Sequence, residues 1–383
     1  MAEQLHKGLE GVLVAESEMS YIDGDAGRLV YRGYDIEELA RGASYEETLY
    51  LLWEGELPTA DELADFAEPM AAERGVTDKV LTTLADLAEA DEDPMAALRT
   101  GVSMLSADEP EADADPQNSD AAHRKGRRIV AKIPTVLANY DRFRRGEAHI
   151  EPREDLSYAG NFLYMLTGEE PSEVAEETFD MALILHADHG LNASTFTSMV
   201  VGSTLADVYS AVTGGIGALS GPLHGGANQD VIEALLELDD SGMDPVEWVK
   251  SKSEAGERVP GWGHRVYNTK DPRANILQAK LEDLSAADGE TKWLDYTTGI
   301  EAYLTDEKGL PEQGIAPNVD FYSGAVYYKL GIPVDMYTPI FAMSRAGGWL
   351  GHVFEYQSDN RLIRPRGRYT GPEDRDFVPI DER

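Results

Sequence analysis

Gly214-Gly215-Ile216-Gly217-Ala218-Leu219-Ser220-Gly221-Pro222-Leu223-His224-Gly225-Gly226-Ala227-Asn228 is the stretch whose reading separates two architectures. Gly215, Gly217 and Gly221 form GxGxxxG, a spacing that some dinucleotide folds use. That use needs a preceding strand in a βαβ unit. Leu205 to Val212 reads as helix instead. The alternative is that the glycines let backbone crowd around His224. His224 then sits at the start of a helix, where unpaired N–H groups and the dipole keep an imidazole neutral. A neutral imidazole is a hydrogen-bond donor suited to a developing oxyanion.

Outward from this stretch the pattern is helical almost throughout. Helices are expected near 157–167, 172–188, 193–201, 204–213, 225–238, 244–254, 272–285, 291–305, 319–330 and 338–356, with a longer one over about 121–145 kinked at Pro134. Ser44 with Glu47 and Thr59 with Glu62 read as capping boxes, and Asp93-Pro94 as an N-cap and first helical residue. The one clear β signal lies near the start. Met19 to Ile22 and Arg28 to Tyr31 flank the turn-rich Asp23-Gly24-Asp25-Ala26-Gly27, as in a hairpin. Strands do not alternate with helices, which disfavours a parallel sheet. The expected fold is mainly α with a short N-terminal hairpin. No linker marks a domain boundary, which suggests that one domain is inserted in another.

Composition narrows the function. The chain has 383 residues, 71 acidic against 33 basic, for a net charge of −38. Such a surface repels nucleic acid and anionic lipid. Arginines outnumber lysines, 22 to 11. Excess acid with scarce lysine fits a surface adapted to molar salt, where the Debye length is about 3 Å and self-repulsion is screened. Cysteine is absent, excluding disulfides, thiolate nucleophiles and Cys-ligated metals. No apolar run reaches a membrane span, and Met1-Ala2-Glu3-Gln4 does not open a signal segment, so a cytoplasmic location is expected. Leu105 to Ser119, with Asp108, Glu109, Glu111, Asp113 and Asp115, lacks the glycine and spacing of a calcium loop and reads as a solvated loop.

Chemistry gathers in five places. Leu185-His186-Ala187-Asp188-His189-Gly190-Leu191-Asn192 ends an apolar helix with two imidazoles. His186 and His189 could ligate a metal, could be a core histidine and a cap, or could face an anionic substrate. The second place is the glycine stretch with His224. In Pro260-Gly261-Trp262-Gly263-His264-Arg265-Val266-Tyr267, His264 lies where backbone can approach a ligand. Asp271-Pro272 then caps a helix whose first turn holds Arg273, a position unfavourable to a cation, which implies an anionic partner. Asn318 caps the next helix and puts Asp320 in its first turn, a common place for a surface acid offsetting the dipole. Ser344-Arg345-Ala346 buries an arginine in an apolar helix, and Arg361 to Arg368 is a basic run in an acidic chain. Guanidinium groups of this kind suit carboxylate or phosphate capture.

Taken together, in this order and spacing, the segments Leu185 to Asn192, Gly221 to Gln229, Pro260 to Arg273, Pro317-Asn318-Val319-Asp320 and Ser344-Arg345-Ala346 resemble citrate synthase over about residues 8 to 370. Tyr31-Arg32-Gly33-Tyr34-Asp35-Ile36 looks like the shorter prokaryotic and archaeal branch. The resemblance implies a helical homodimer in which a large domain (1–225 and 332–383) carries an inserted small domain (226–331). It implies condensation of acetyl-CoA with oxaloacetate followed by hydrolysis of citryl-CoA. Asp320 then matches the general base, His224 the donor to the enolic oxygen, and His264 the residue polarising the oxaloacetate carbonyl. His189, Arg273 and Arg345 match ligands of its carboxylates, and Arg364 an arginine from the partner subunit. Arg265 and Lys308 are the candidates for contacts to CoA, because Asn268 sits where many relatives carry a base. Trp262 replaces the more usual Phe or Tyr. No metal or resident cofactor is implied, and the metal reading of His186 and His189 lapses. A 2-methylcitrate synthase using propionyl-CoA would share every one of these residues. A non-catalytic acidic binding protein and a nicotinamide-dependent oxidoreductase are the remoter alternatives.

Overall fold

Two short segments folded back at the turn-rich Asp23 to Gly27 build the small sheet of the computed structural model, which describes residues 5–383; the opening Met1-Ala2-Glu3-Gln4 lies outside the described residues. Ser20–Asp23 (β1) pairs antiparallel with Arg28–Tyr31 (β2), Ser20 opposite Tyr31 and Asp23 opposite Arg28. A two-residue strand, Tyr34–Asp35 (β3), adds to β2, beyond the simple hairpin expected.

Helices follow with their caps in place. Asp35 accepts from Glu37 N–H and opens Ile36–Gly42 (α1). Both expected capping boxes form, at Tyr45–Glu54 (α2) and Ala60–Ala72 (α3). Asp78–Glu89 (α4) precedes Pro94–Leu105 (α5), where Asp93 accepts from the N–H groups of Met95 and Ala96. Ser119–Arg144 (α6) is the long helix and holds Pro134. Tyr158–Thr167 (α7), Glu173–His186 (α8), Ala193–Gly202 (α9) and Val208–Leu219 (α10) follow. Next come Ala227–Ser241 (α11), Pro245–Ala255 (α12), Pro272–Asp288 (α13), Lys292–Ala302 (α14) and Val319–Lys329 (α15). Tyr337–Ser358 (α16) ends the series. From Tyr337 to Val353 it is buried except at Phe341. A helix apolar on every side belongs inside the molecule, and α16 packs on α2, α6, α8, α9 and α10.

The opening glycine stretch departs from expectation. The sequence predicts α10 over 204–213, but the helix begins at Val208 and runs through Gly214, Gly215 and Gly217 to Leu219. A Cβ on Gly215 would lie 2.5 Å from Ser198 Oγ and 2.8 Å from the Trp349 ring. Glycine costs a helix about 1 kcal/mol relative to alanine. Here it lets α10 approach α9 and α16 closely enough to bury their shared face.

The acidic stretch 105–119 is also not simply solvated. Arg124 and Arg128 of α6 bind Glu111, and Arg128 also binds Glu109, whose side chain is only 3% exposed. The loop is docked on α6 through matched charges.

Candidate active site

A cavity of about 1080 Å³ is lined by His189, His224, His264, Arg265, Arg273, Asp320 and Arg345, together with Gly8 to Leu9 and Val12 to Ala15 of the N-terminal segment. Five chain segments far apart in sequence supply these side chains. Two predicted contacts are elsewhere. Arg364 is exposed and outside the cavity lining. Lys308 is exposed, its Nζ 5.5 Å from the Tyr303 ring centroid, and also outside the lining. Arg265 is exposed at the cavity.

His264 and Asp320 are held together by pairing of two loops. Gly263 N–H donates to Ala316 O (2.8 Å), Asn318 N–H to Gly261 O (2.9 Å) and the Asn318 side-chain amide to Gly263 O (2.9 Å). Gly261 has φ of +79°, and a Cβ there would lie 2.9 Å from the Phe321 backbone. Only glycine permits this approach without strain. Asn318 Oδ1 caps α15 by accepting Asp320 N–H (3.0 Å), as its sequence position predicts. The surface alternative for Asp320 fails. The side chain faces the cavity, and burial raises its carboxyl to about 6 despite Arg273.

The histidines have defined proton positions. Val266 and Tyr267 N–H groups donate to His264 Nδ1 (2.9 and 3.2 Å), which places the ring proton on Nε2. His224 Nε2 lies 3.1 Å from Ser194 N–H and 2.8 Å from Ser194 Oγ. A backbone N–H can only donate, so Nε2 is the acceptor and the proton sits on Nδ1. Ser194 is itself fixed by Asn192 Oδ1 (2.7 Å) and by the Trp349 indole N–H (3.1 Å). Both rings are neutral, with pKa values lowered to about 4, first by burial and then by Arg345 for His224 and Arg273 for His264. The expected helix dipole is not the cause at His224, because α11 begins only at Ala227. His189 is lowered well below the usual range by burial and then by Arg273 and Arg345.

The two guanidinium groups differ. Arg273 is buried and paired with Asp271, its own helix cap, at 3.0 and 2.7 Å. The anionic partner implied by its position is thus present within the chain. Arg345 donates through Nε to His186 O (2.6 Å) and lies over the Phe341 ring (4.5 Å to the centroid). No carboxylate lies within 4 Å of it among the described residues. Burial pushes its pKa down to about 10. Asp188 is buried and accepts from Ser20 Oγ (2.5 Å) and His352 Nε2 (3.1 Å), tying β1 and α16 to the loop that carries His189.

His186 is a core histidine. Its Nδ1 donates to Ala182 O (2.7 Å), and burial lowers it to about 3. No group of three or more His, Cys, Asp or Glu side chains is placed to hold a metal ion among the described residues. Asn268 is used structurally, donating to Asp25 Oδ1 (2.7 Å). Sequence reasoning misses Ser194 and Trp349. The available signal is Asn192 as a helix cap, which places Ser194 in the first turn of α9, where its N–H has no carbonyl partner within the helix and is shared between Asn192 Oδ1 (3.1 Å) and His224 Nε2.

A model of the family described as "Citrate synthase, C-terminal domain" matches residues 8–366. The citrate synthase of Haloferax volcanii is 62% identical over 384 residues, covering 100% of both chains. Citrate synthase from Pyrobaculum aerophilum superposes with a TM-score of 0.91 at 41% identity, over 98% of this chain and 95% of that one. That of Thermoplasma acidophilum, solved as a ternary complex with carboxymethyl coenzyme A and oxaloacetate, gives a TM-score of 0.89 at 36% identity, covering 100% of both. A 2-methylcitrate synthase of Mycobacterium tuberculosis is more distant, 41% identical over 97% of this chain and 92% of its own. Both the helical fold and the ordered motifs around the cavity agree with these matches, and the chain belongs to the citrate synthase family.

Proposed function

We propose that the cavity condenses acetyl-CoA with oxaloacetate and hydrolyses the citryl-CoA formed, with Asp320 as the base and His224 and His264 as the hydrogen-bond donors. The observation that carries the reading is the convergence of one carboxylate, two neutral imidazoles with assigned protons and two buried guanidinium groups on a single cavity. Membership in the family makes the enzyme a transferase, and CoA enters as part of a substrate rather than as a resident cofactor.

A thioester methyl group is too weakly acidic for a free carboxylate. Asp320 removes the proton while His224 Nδ1–H donates to the thioester oxygen, so charge moves onto an oxygen already facing a donor. The enolic carbon then attacks the 2-oxo carbon of oxaloacetate. His264 Nε2–H polarises that carbonyl. Arg273, Arg345 and His189 hold the carboxylates. Water finally cleaves the thioester, giving citrate and CoA. A raised Asp320 pKa serves this step, because a base nearer neutrality takes a proton more readily and remains ionised at pH 7.

The chain works as a homodimer in this reading, and Arg364 reaches the partner's cavity. Support comes from its place outside its own cavity and from exposed Leu362, Tyr369, Phe377 and Ile380 in the C-terminal stretch. Residues 226–331 form a small domain that closes on the substrates. This is supported by the packing of α11 and α13 on α15 and of α12 on α14. Arg265 meets CoA at the cavity mouth, and Lys308, exposed beyond the lining, is the second candidate for a CoA contact. The protein works in the cytoplasm at high salt. Its charge of −38 and its Haloferax relative support the salt, and no helix among the described residues is long and apolar enough to cross a membrane.

The test is thiol release in 2 M KCl with acetyl-CoA or propionyl-CoA, each with and without oxaloacetate. Release that needs oxaloacetate and favours acetyl-CoA is expected. Equal or faster release from propionyl-CoA would move the enzyme to the 2-methylcitrate reaction, since one methylene is worth only about 1–3 kcal/mol. No release from folded protein would overturn the catalytic reading.

A further inference from the structure

Tyr267 packs against both of the imidazoles that face the 2-oxo acid, yet it transfers no proton and holds no carboxylate in the proposed reaction. It is 1% exposed and follows His264 by three residues. Its ring centroid is 4.9 Å from that of His264 and 5.6 Å from that of His189, and the two histidine rings are 5.4 Å apart. The backbone N–H of Tyr267 donates to His264 Nδ1 (3.2 Å), and its hydroxyl lies 3.2 Å from His189 Nε2.

We propose that Tyr267 is a positioning residue for oxaloacetate: its hydroxyl fixes the orientation and proton location of His189, while its ring packs against His264. The inference rests on the proposed reading of the cavity. The direction of the hydroxyl bond follows from what His189 must do. A neutral imidazole has one N–H and one lone pair. If Nε2–H donated to the phenol oxygen, Nδ1 would present a lone pair to a substrate carboxylate, which repels it. With the hydroxyl donating to Nε2, the ring proton is on Nδ1, ready to donate to that carboxylate. Burial keeps the phenol protonated and able to donate.

The loop bearing Tyr267 is itself clamped by the hairpin. Asn268 N–H donates to Gly24 O (3.0 Å), and a Cβ on Gly24 would lie 2.0 Å from Val266 O. Asn268 Nδ2 adds its bond to Asp25. The tyrosine therefore has a fixed base from which to set the His189 ring.

Tyr267→Phe removes only the hydroxyl and keeps both the ring packing and the backbone N–H. We expect KM for oxaloacetate to rise about tenfold, as for loss of one buried hydrogen bond, with kcat within about twofold and KM for acetyl-CoA unchanged. Nitrogen-15 NMR of histidine-labelled enzyme supplies a readout independent of turnover, with His189 assigned by its loss in His189→Gln. The wild type should show His189 protonated at Nδ1, and Tyr267→Phe should shift both ring nitrogens toward a tautomer mixture. In the His189→Gln background, Tyr267→Phe should add almost nothing to KM. An unchanged KM with unchanged nitrogen shifts would overturn the proposal. So would a fall in kcat with a rise in both KM values and a lowered melting temperature, which would mark the tyrosine as packing alone. Failure of the wild type to release CoA with oxaloacetate would instead sink the parent reading, and the NMR comparison would still decide the tyrosine's role.

Discussion

Arg128 in α6 and Arg345 in α16 are both poorly exposed, but their surroundings differ in one respect. Arg128 meets Glu73 (3.1 Å), Glu109 (2.7 Å) and Glu111 (2.9 Å), three carboxylates around one guanidinium. Arg124 adds a bond to Glu111 (2.6 Å), and the Tyr209 hydroxyl donates to Glu109. Hydrogen bonds from the two arginines hold the Glu111 carboxyl down at about 2. Arg345 has a carbonyl, an aromatic face and no carboxylate within 4 Å among the described residues. Its neighbour Arg273 has one carboxylate, Asp271. Where opposite charges answer one another, they dock a loop. Where cationic charge is left over at a cavity, it is available to an anion, and in the proposed reaction that anion is oxaloacetate.

The contrast can be broken in several ways. The largest effect is expected at the one carboxylate that faces the cavity. Asp320→Asn should lower kcat about a thousandfold while oxaloacetate affinity, measured by calorimetry, changes little. The variant should melt no lower than the wild type at pH 7. The sign follows from the raised pKa: Asp320 contributes fully to stability below about 3.8 and loses that contribution as pH rises through about 6. A near-normal rate would remove Asp320 from the mechanism.

Next, Arg345→Gln should raise KM for oxaloacetate about a hundredfold, which is the scale of losing a close charged partner. If KM for acetyl-CoA rose instead, the surplus charge would belong to the other substrate.

A smaller effect concerns pH. Only ionised Asp320 can accept a proton, so kcat/KM should fall below pH 6 and be roughly tenfold lower at pH 5. His224 and His264 stay neutral above about pH 4 and do not shape that limb. An acid limb centred near 4 would mean that Asp320 titrates as an ordinary aspartate.

Arg128→Met sharpens the comparison from the other side. Its kinetics should match the wild type, while urea unfolding in high salt shows a loss of about 2 kcal/mol from stranded Glu109. A changed KM would show that the docked loop communicates with the cavity.

Much of the molecule is legible in its residues. The caps Ser44, Thr59, Asp93 and Asn318 act locally, so sequence alone marks their helices. His264 and His224 stand out because glycines surround them, whereas the cap signal before Asp320 reads as an ordinary surface acid and only the resemblance singles it out. The end of α10 is not legible, because local glycine propensity argues against helix while the approach of Trp349 and Ser198 decides for it. The docking of Glu109 and Glu111 is hidden because Arg124 and Arg128 lie on a separate helix, thirteen or more residues away. The partner of Arg273 is two residues away and is readable as its own cap.

Residue order alone marks a helical chain with a hairpin and a heavily acidic charge, and the roles of its histidines, arginines and Asp320 enter only through the resemblance of its ordered motifs to citrate synthase. The helices, the hairpin and the charge follow from periodicity, local caps and composition, which act over a few residues. It takes the packed molecule to show that Ser194 and Tyr267 accompany the histidines, that Asp320 faces a cavity rather than water, and that Arg128 and Arg345 differ in their partners. Those outcomes depend on which distant segments are packed together. Burial, charge pairing and proton location are set by neighbours in space, and a linear pattern does not specify them.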